Sequence, residues 1–173
     1  NSKTDSTTIL PSGSTSPFTV TPQNGDFITC TLSNTPLPRI RVNKIVASIV
    51  DATDRFTTQI RTGGVSGTVV SGTTSSATTG GGVVTAAIAS FPSTATATGS
   101  YQAVAGTALT ITEVISAGSS NINQYQASIS CTNSKTDSTT ILPSGSTSPF
   151  TVTPQNGDFI TCTLSNTPLP RIR

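Results

Sequence analysis

The chain has no histidine, methionine or tryptophan, and only 9% of its residues are charged. Without histidine, neither a Ser-His-Asp nor a Cys-His arrangement for nucleophilic catalysis can be assembled. The net charge of +2 is small. Arg39, Arg41 and Lys44 cluster, but no aromatic or basic stripe accompanies them, so the electrostatic footprint of a nucleic-acid binder is missing. No apolar run approaches the roughly 20 residues needed to cross a bilayer, and no secretion signal is visible, as expected of a window from a longer precursor. The helix formers Glu, Lys and Leu are scarce, and no window of ten or more residues carries a 3.6-residue apolar period.

What the chain has instead is hydroxyls: 35 Thr and 25 Ser. Thr and Val suit a pleated, half-buried surface, which points to an all-β domain. The chain also repeats itself. Residues Asn1 to Arg41 recur without a single change as Asn133 to Arg173. A period of 132 residues is that of a whole domain, so the chain reads as one full bead of a tandem array plus the closing part of the bead before it. One such repeat is long enough to bury its own core.

The junction falls where Pro36 and Pro38, repeated as Pro168 and Pro170, resist a central ladder and make a stiff connector. We expect residues 1–38 to be the C-terminal strands of a preceding repeat, 39–170 one complete repeat, and 171–173 the start of the next. Within 39–170, short alternating runs punctuated by Gly, Pro and Ser predict strands at 39–50, 55–61, 65–70, 82–90, 109–115, 125–132, 139–142, 150–153 and 158–166. Gln155-Asn156-Gly157 is a turn signal before the last of them. About seven to nine such short strands predict an all-β sandwich of two antiparallel sheets.

Side chains alternate along a strand, so residues of one parity share a face. On the apolar faces this places Lys44 with Ile40, Val42 and Val46; Glu113 with Leu109, Ile111 and Ile115; and Asn166 with Ile160, Cys162 and Leu164. Burial in an apolar core shifts a Lys and a neighbouring Glu toward their neutral forms. A neutral Lys44 amine is a nucleophile, Asn166 offers a carboxamide, and a protonated Glu113 polarises and shuttles protons. The product would be an amide cross-link between Lys44 and Asn166, with loss of ammonia and no enzymatic turnover. The other reading has Lys44 and Glu113 at strand ends, snorkelling to solvent, with Asn166 in a turn.

Cys30 and Cys162 are the same repeat position, so each repeat holds two cysteines. An even count with no histidine reads as a Cys131–Cys162 disulfide formed in an oxidising compartment, against the alternative of a reduced, buried pair. Cys30 then needs its partner in a neighbouring repeat.

Three pieces of the sequence carry a resemblance: RIRVNKIV, LTITEVISAG and ITCTLSNTP. Here the chain resembles the SpaA-like, Cna B-type or prealbumin-like repeats of large bacterial surface adhesins and fibres. The resemblance implies an immunoglobulin-like or transthyretin-like antiparallel β-sandwich on adhesins and pilus shafts, and a Glu-promoted Lys–Asn isopeptide bond that maps onto Glu113, Lys44 and Asn166. It departs from the family where the loop after Glu113 lacks a Pro-Gly-Tyr pattern.

Other features suggest little chemistry. Asp51 and Asp54 in DATD read as a solvated turn before a Ca²⁺ site. The Gly63-Gly64 and Gly80-Gly81-Gly82 runs lack the strand-to-helix setting of phosphate loops. FPSTATATGS reads as an exposed strand or loop. We therefore expect no cofactor and no metal. The partners expected are neighbouring copies of the same repeat, with a glycan or cell-surface ligand as a further possibility. Three roles follow: an extracellular stalk or filament on a bacterial surface, a ligand-binding adhesin module, or a non-covalent polymer built by strand exchange.

Overall fold

A computed structural model describes residues 4–13, 16–46, 48–51, 53–70, 93–95 and 100–171. The chain divides into two compact units, Asn1–Asn34 and Thr35–Arg173. The strand expected at 82–90 and the Gly80-Gly81-Gly82 run lie outside the described residues.

The second unit is an all-β sandwich. Its strands are β1 (Arg39–Val46), β2 (Arg55–Thr62), β3 (Thr68–Val69), β4 (Ser93–Ala95), β5 (Tyr101–Gln102), β6 (Leu109–Ala117), β7 (Tyr125–Asn133), β8 (Ser144–Gly145), β9 (Phe150–Val152) and β10 (Phe159–Pro168), with one 3₁₀ turn at Ile122–Gln124. One sheet runs β4-β1-β10-β7-β8, with β5 also paired to β1; the other runs β3-β2-β6-β9. The described pairs are antiparallel except β1 with β10, which is parallel, Arg39 opposite Phe159 through Val46 opposite Asn166. The antiparallel β-sandwich expected from the short, punctuated strands is the fold observed, with this one parallel pair inside it.

Each inward face is apolar. Ile40, Val42, Ile60, Leu109, Ile111, Ile129, Phe150, Val152, Ile160, Cys162 and Leu164 form the main core, while Val46, Phe56 and Tyr125 form a second, smaller cluster. Burial of about 1.5–3 kcal/mol per large apolar side chain is what holds the sheets together. Phe56 and Tyr125 meet edge to face at 4.9 Å, and the Tyr125 hydroxyl donates to Asp54 and accepts from the Val50 N–H at 2.7 Å.

Several expected strands differ. Residues 139–142 form no strand; their polar side chains are used to pin the turn before β10 instead. Thr140 Oγ1 donates to Asp158 Oδ2 at 2.6 Å, the Gln155 N–H to the same oxygen at 2.8 Å, and Gln155 Nε2 to Thr139 Oγ1 at 2.8 Å. Gly157 supplies the positive φ of 83° that this turn needs. Pro168 ends β10 at its last rung, opposite Tyr125. The carbonyls of Pro36 and Pro38 accept from Gly157 and Ala103 N–H groups at 2.7 and 2.8 Å, so the connector is tied to the sandwich it precedes.

The first unit repeats this turn chemistry. Thr8 Oγ1 donates to Asp26 Oδ2 at 2.6 Å, the Gln23 N–H to the same oxygen at 2.9 Å, and Gln23 Nε2 to Thr7 Oγ1 at 2.7 Å. Yet no strand forms among its described residues. Identical residues thus fold locally in both places and become a strand only where β1 and β7 flank them. A turn satisfies its own polar groups; a strand needs neighbours.

Burial alone would raise the Asp158 carboxyl, but hydrogen bonds from Thr140, the Gln155 N–H, Asn133 and Ser138 outweigh it and bring it from 3.8 down to about 2. Its folded value lies below its unfolded one, so its stabilisation is complete above about pH 4 and lost as pH falls toward 2. Asp158→Asn is expected to make the acid limb of a stability–pH curve shallower between those values. An acid limb as steep as that of the unsubstituted chain would contradict this.

Candidate functional site

β1, β6 and β10 each carry one polar residue on their inward face, between apolar neighbours. Lys44 lies between Val42 and Val46, Glu113 between Ile111 and Ile115, and Asn166 follows Leu164. Val42, Ile111 and Leu164 belong to the main core, whereas Val46 belongs to the smaller cluster and Ile115 packs against it. The three polar residues therefore form a layer between two apolar clusters.

The parallel β1–β10 register sets their spacing. Val46 lies opposite Asn166, so Lys44 is two residues back on the same face of the adjacent strand. Glu113 comes from the facing sheet. Lys44 and Asn166 are fully buried at 0% exposure, and the Glu113 side chain is 6% exposed. The snorkelling arrangement is therefore not what the chain adopts.

Glu113 Oε2 is the centre of the group. It lies 2.8 Å from Lys44 Nζ and accepts from Asn166 Nδ2 at 3.0 Å. Lys44 Nζ also stands 5.1 Å from the centroid of the Phe56 ring, within reach of its negative face. Burial pushes the Lys44 amine below its usual value, while the charge and hydrogen bond of Glu113 pull it back up.

A fourth residue belongs to this layer. Thr58 on β2 lies directly opposite Glu113 in the β2–β6 register and is fully buried. Thr58 Oγ1, Glu113 Oε1 and Asn166 Oδ1 are all buried with no hydrogen-bond partner among the described residues. Buried polar atoms are normally satisfied, so this concentration of unmet capacity marks the layer as unlike the rest of the core. Alternation in RFTTQIR puts Thr58 with Phe56 and Ile60, so parity held the signal for it. A cleft of about 570 Å³ reaches Glu113 past Tyr125, Phe150 and Leu164 to exposed Gln126 and Ser146.

Cys131 and Cys162 face each other across β7 and β10 and form a disulfide, 31 residues apart in sequence. A closed loop of that length removes about 3–4 kcal/mol of chain entropy from the unfolded state. Cys30 is a free, exposed thiol. Asp51 and Asp54 spend their oxygens within the turn and its neighbours: Asp51 accepts from Thr53 and Ser119, Asp54 from Ser120, the Asp51 N–H and Tyr125. Among the described residues no cluster of three or more Cys, Asp or Glu stands in metal-binding proximity, and no helix is long and apolar enough to cross a membrane.

A family model described as a SpaA-type prealbumin-like fold domain matches residues 1–36 and 39–168. No curated protein and no solved structure gives a significant match.

Removing one member of a buried ion pair strands the other, whereas replacing both is close to neutral. Lys44→Met should therefore be less stable in urea unfolding than Lys44→Met/Glu113→Leu, by about 3 kcal/mol. Neither variant retains the amine, so neither can form the amide, and the difference reads the cost of leaving Glu113 buried without its partner. Equal stabilities would mean that an unpaired Glu113 costs nothing in this core.

Proposed function

The chain belongs to the SpaA-type prealbumin-like fold domains, and from that premise we propose that it is a structural domain of a large extracellular protein, one bead of a stalk or filament on a bacterial surface. Residues 39–170 form the bead in this reading, and residues 1–38 close the bead before it. The low charge, the wealth of hydroxyls, the disulfide and the verbatim duplication all support it. So does the family resemblance, which implies adhesins and pilus shafts. Identical copies favour a spacer role, because recognition seldom needs the same face twice.

One observation carries the reading furthest: a lysine, a glutamate and an asparagine buried together between the two sheets, with Glu113 Oε2 in contact with both nitrogens. Lys44 is the nucleophile, Asn166 the electrophile and Glu113 the proton carrier. Glu113 takes a proton from the Lys44 ammonium. The freed amine attacks Asn166 Cγ, the Cγ–Nδ2 bond breaks, and Glu113 returns its proton to the leaving nitrogen. The amine also loses a second proton, so ammonium leaves and a neutral amide remains. Because Oε2 already touches both the entering and the departing nitrogen, the transfer requires little rearrangement.

Such a bond ties β1 to β10, the first strand of the bead to its last. Pulling on the two ends of the bead would then load a covalent bond beside the Cys131–Cys162 cross-link, rather than a ladder of hydrogen bonds. This is the property a load-bearing stalk needs, and it is single-turnover chemistry inside the fold.

Intact mass provides the test. The folded chain is expected to be lighter than its sequence by about 17 Da, the mass of ammonia, beyond the loss for one disulfide. Glu113→Gln and Lys44→Met should restore the full mass. An unsubstituted chain of full mass would sink the cross-link.

A further inference from the structure

The first unit displays what the second buries. Leu32 is 72% exposed and Phe18 is 40% exposed, while their counterparts Leu164 and Phe150 are 0% and 5%. Cys30 is exposed and free, whereas Cys162 is buried and disulfide-bonded. Phe27–Pro36 is letter for letter the sequence of β10, Phe159–Pro168. β10 is no edge strand: it lies between β1 and β7 and hydrogen-bonds to both. Any slot between a β1 and a β7 that accepts Phe159–Pro168 therefore accepts Phe27–Pro36, in the same register and with the same side-chain fit.

That slot is not the one in the sandwich that follows directly. β10 runs parallel to β1, so residue 27 would lie level with Arg39 and residue 34 level with Val46. From there the chain must come back along all of β1 to re-enter it at Arg39. The seven steps from Arg39 to Val46 span about 23 Å at ~3.3 Å each. The five steps from Asn34 to Arg39 reach at most about 18 Å when fully extended. The connector is too short before it has even turned around. A slot in another copy is under no such limit.

We propose that Phe27–Pro36 is a donor strand whose partner is a second copy of this sandwich, either a further repeat of the same chain or a separate molecule. It lies parallel to that copy's Arg39–Val46 and antiparallel to its Tyr125–Asn133. Cys30 joins that copy's Cys131, and Asn34 stands beside its Lys44 and Glu113. When the slot already holds its own β10, the Cys30 thiolate attacks Cys131 Sγ of the existing disulfide. The Cys30–Cys131 bond forms, the Cys131–Cys162 bond breaks, and Cys162 leaves as the thiolate, so no external oxidant is consumed. Donation adds a way of joining beads to the structural reading above, and it does not require the Lys44–Asn166 bond.

The test uses the full chain with its own closing strand disabled, Leu164→Asp/Cys162→Ser, refolded in a glutathione redox buffer. We expect a ladder of disulfide-linked oligomers on a non-reducing gel that collapses to monomer on reduction, with Cys30 linked to Cys131 between chains. Adding Leu32→Asp should abolish the ladder. Monomers only, a Cys30–Cys131 bond within one chain, or a ladder that survives Leu32→Asp would each overturn the proposal. A second measurement does not depend on that variant folding. Isotopically heavy and light unsubstituted chains are mixed in the same buffer in mild urea and then digested. Heavy–light disulfides to the Cys131 peptide are expected, and they should vanish in Cys30→Ser. Mixtures holding only heavy–heavy and light–light pairs would contradict strand donation, whatever the mass test says of the cross-link.

Discussion

β10 is the constraint on which the rest of the sandwich depends. It is the last strand of the sandwich in sequence, yet it sits inside the sheet rather than at its edge, hydrogen-bonded to β1 on one side and β7 on the other. Four of its residues, Ile160, Cys162, Leu164 and Asn166, are fully buried. Without it β1 loses its main partner, the disulfide loses one half, and the main core loses three members. The parallel pairing with β1 links positions more than a hundred residues apart, a contact that must form without help from local turns and is expensive in loop entropy.

The same pairing creates the polar layer. A lysine on β1 and an asparagine on β10 meet because the two strands run the same way in a fixed register; the glutamate is brought over them by the facing sheet. Buried charge in a small core is destabilising unless matched. Here it is matched by a single contact at 2.8 Å and surrounded by unmet hydrogen-bonding atoms. Conversion to an amide would replace the buried Lys44 ammonium with a neutral amide and carry its charge out of the core as ammonium.

How much of this was legible in the sequence follows from how local each feature is. Alternation along one strand is local, and it put Lys44, Glu113, Asn166, Cys131 and Cys162 on inward faces from the residues alone. Thr58 obeys the same rule and was passed over because a threonine among sixty hydroxyl residues attracts no notice. The parallel sense of β1 and β10 was not legible, since nothing within either strand encodes its partner's direction. The two-residue β5 and β8 are set by tertiary pairing alone. Thr139–Leu142 has the look of a strand, but its hydroxyls are taken up by side chains instead, Thr140 donating to Asp158 and Thr139 accepting from Gln155, which is how such residues compete with ladders.

The duplicated sequence allows this dependence to be measured inside one molecule. If β10 is a strand because β1 and β7 flank it, rather than because of its own residues, then identical amides should behave differently in the two copies. Native-state hydrogen exchange followed by NMR resolves them residue by residue. We expect the amides of 160–166 to exchange only through global opening of the sandwich, and those of 28–34, in the isolated monomer, to exchange orders of magnitude faster. Equal protection in both copies, high or low, would contradict the dependence of the closing strand on its neighbours.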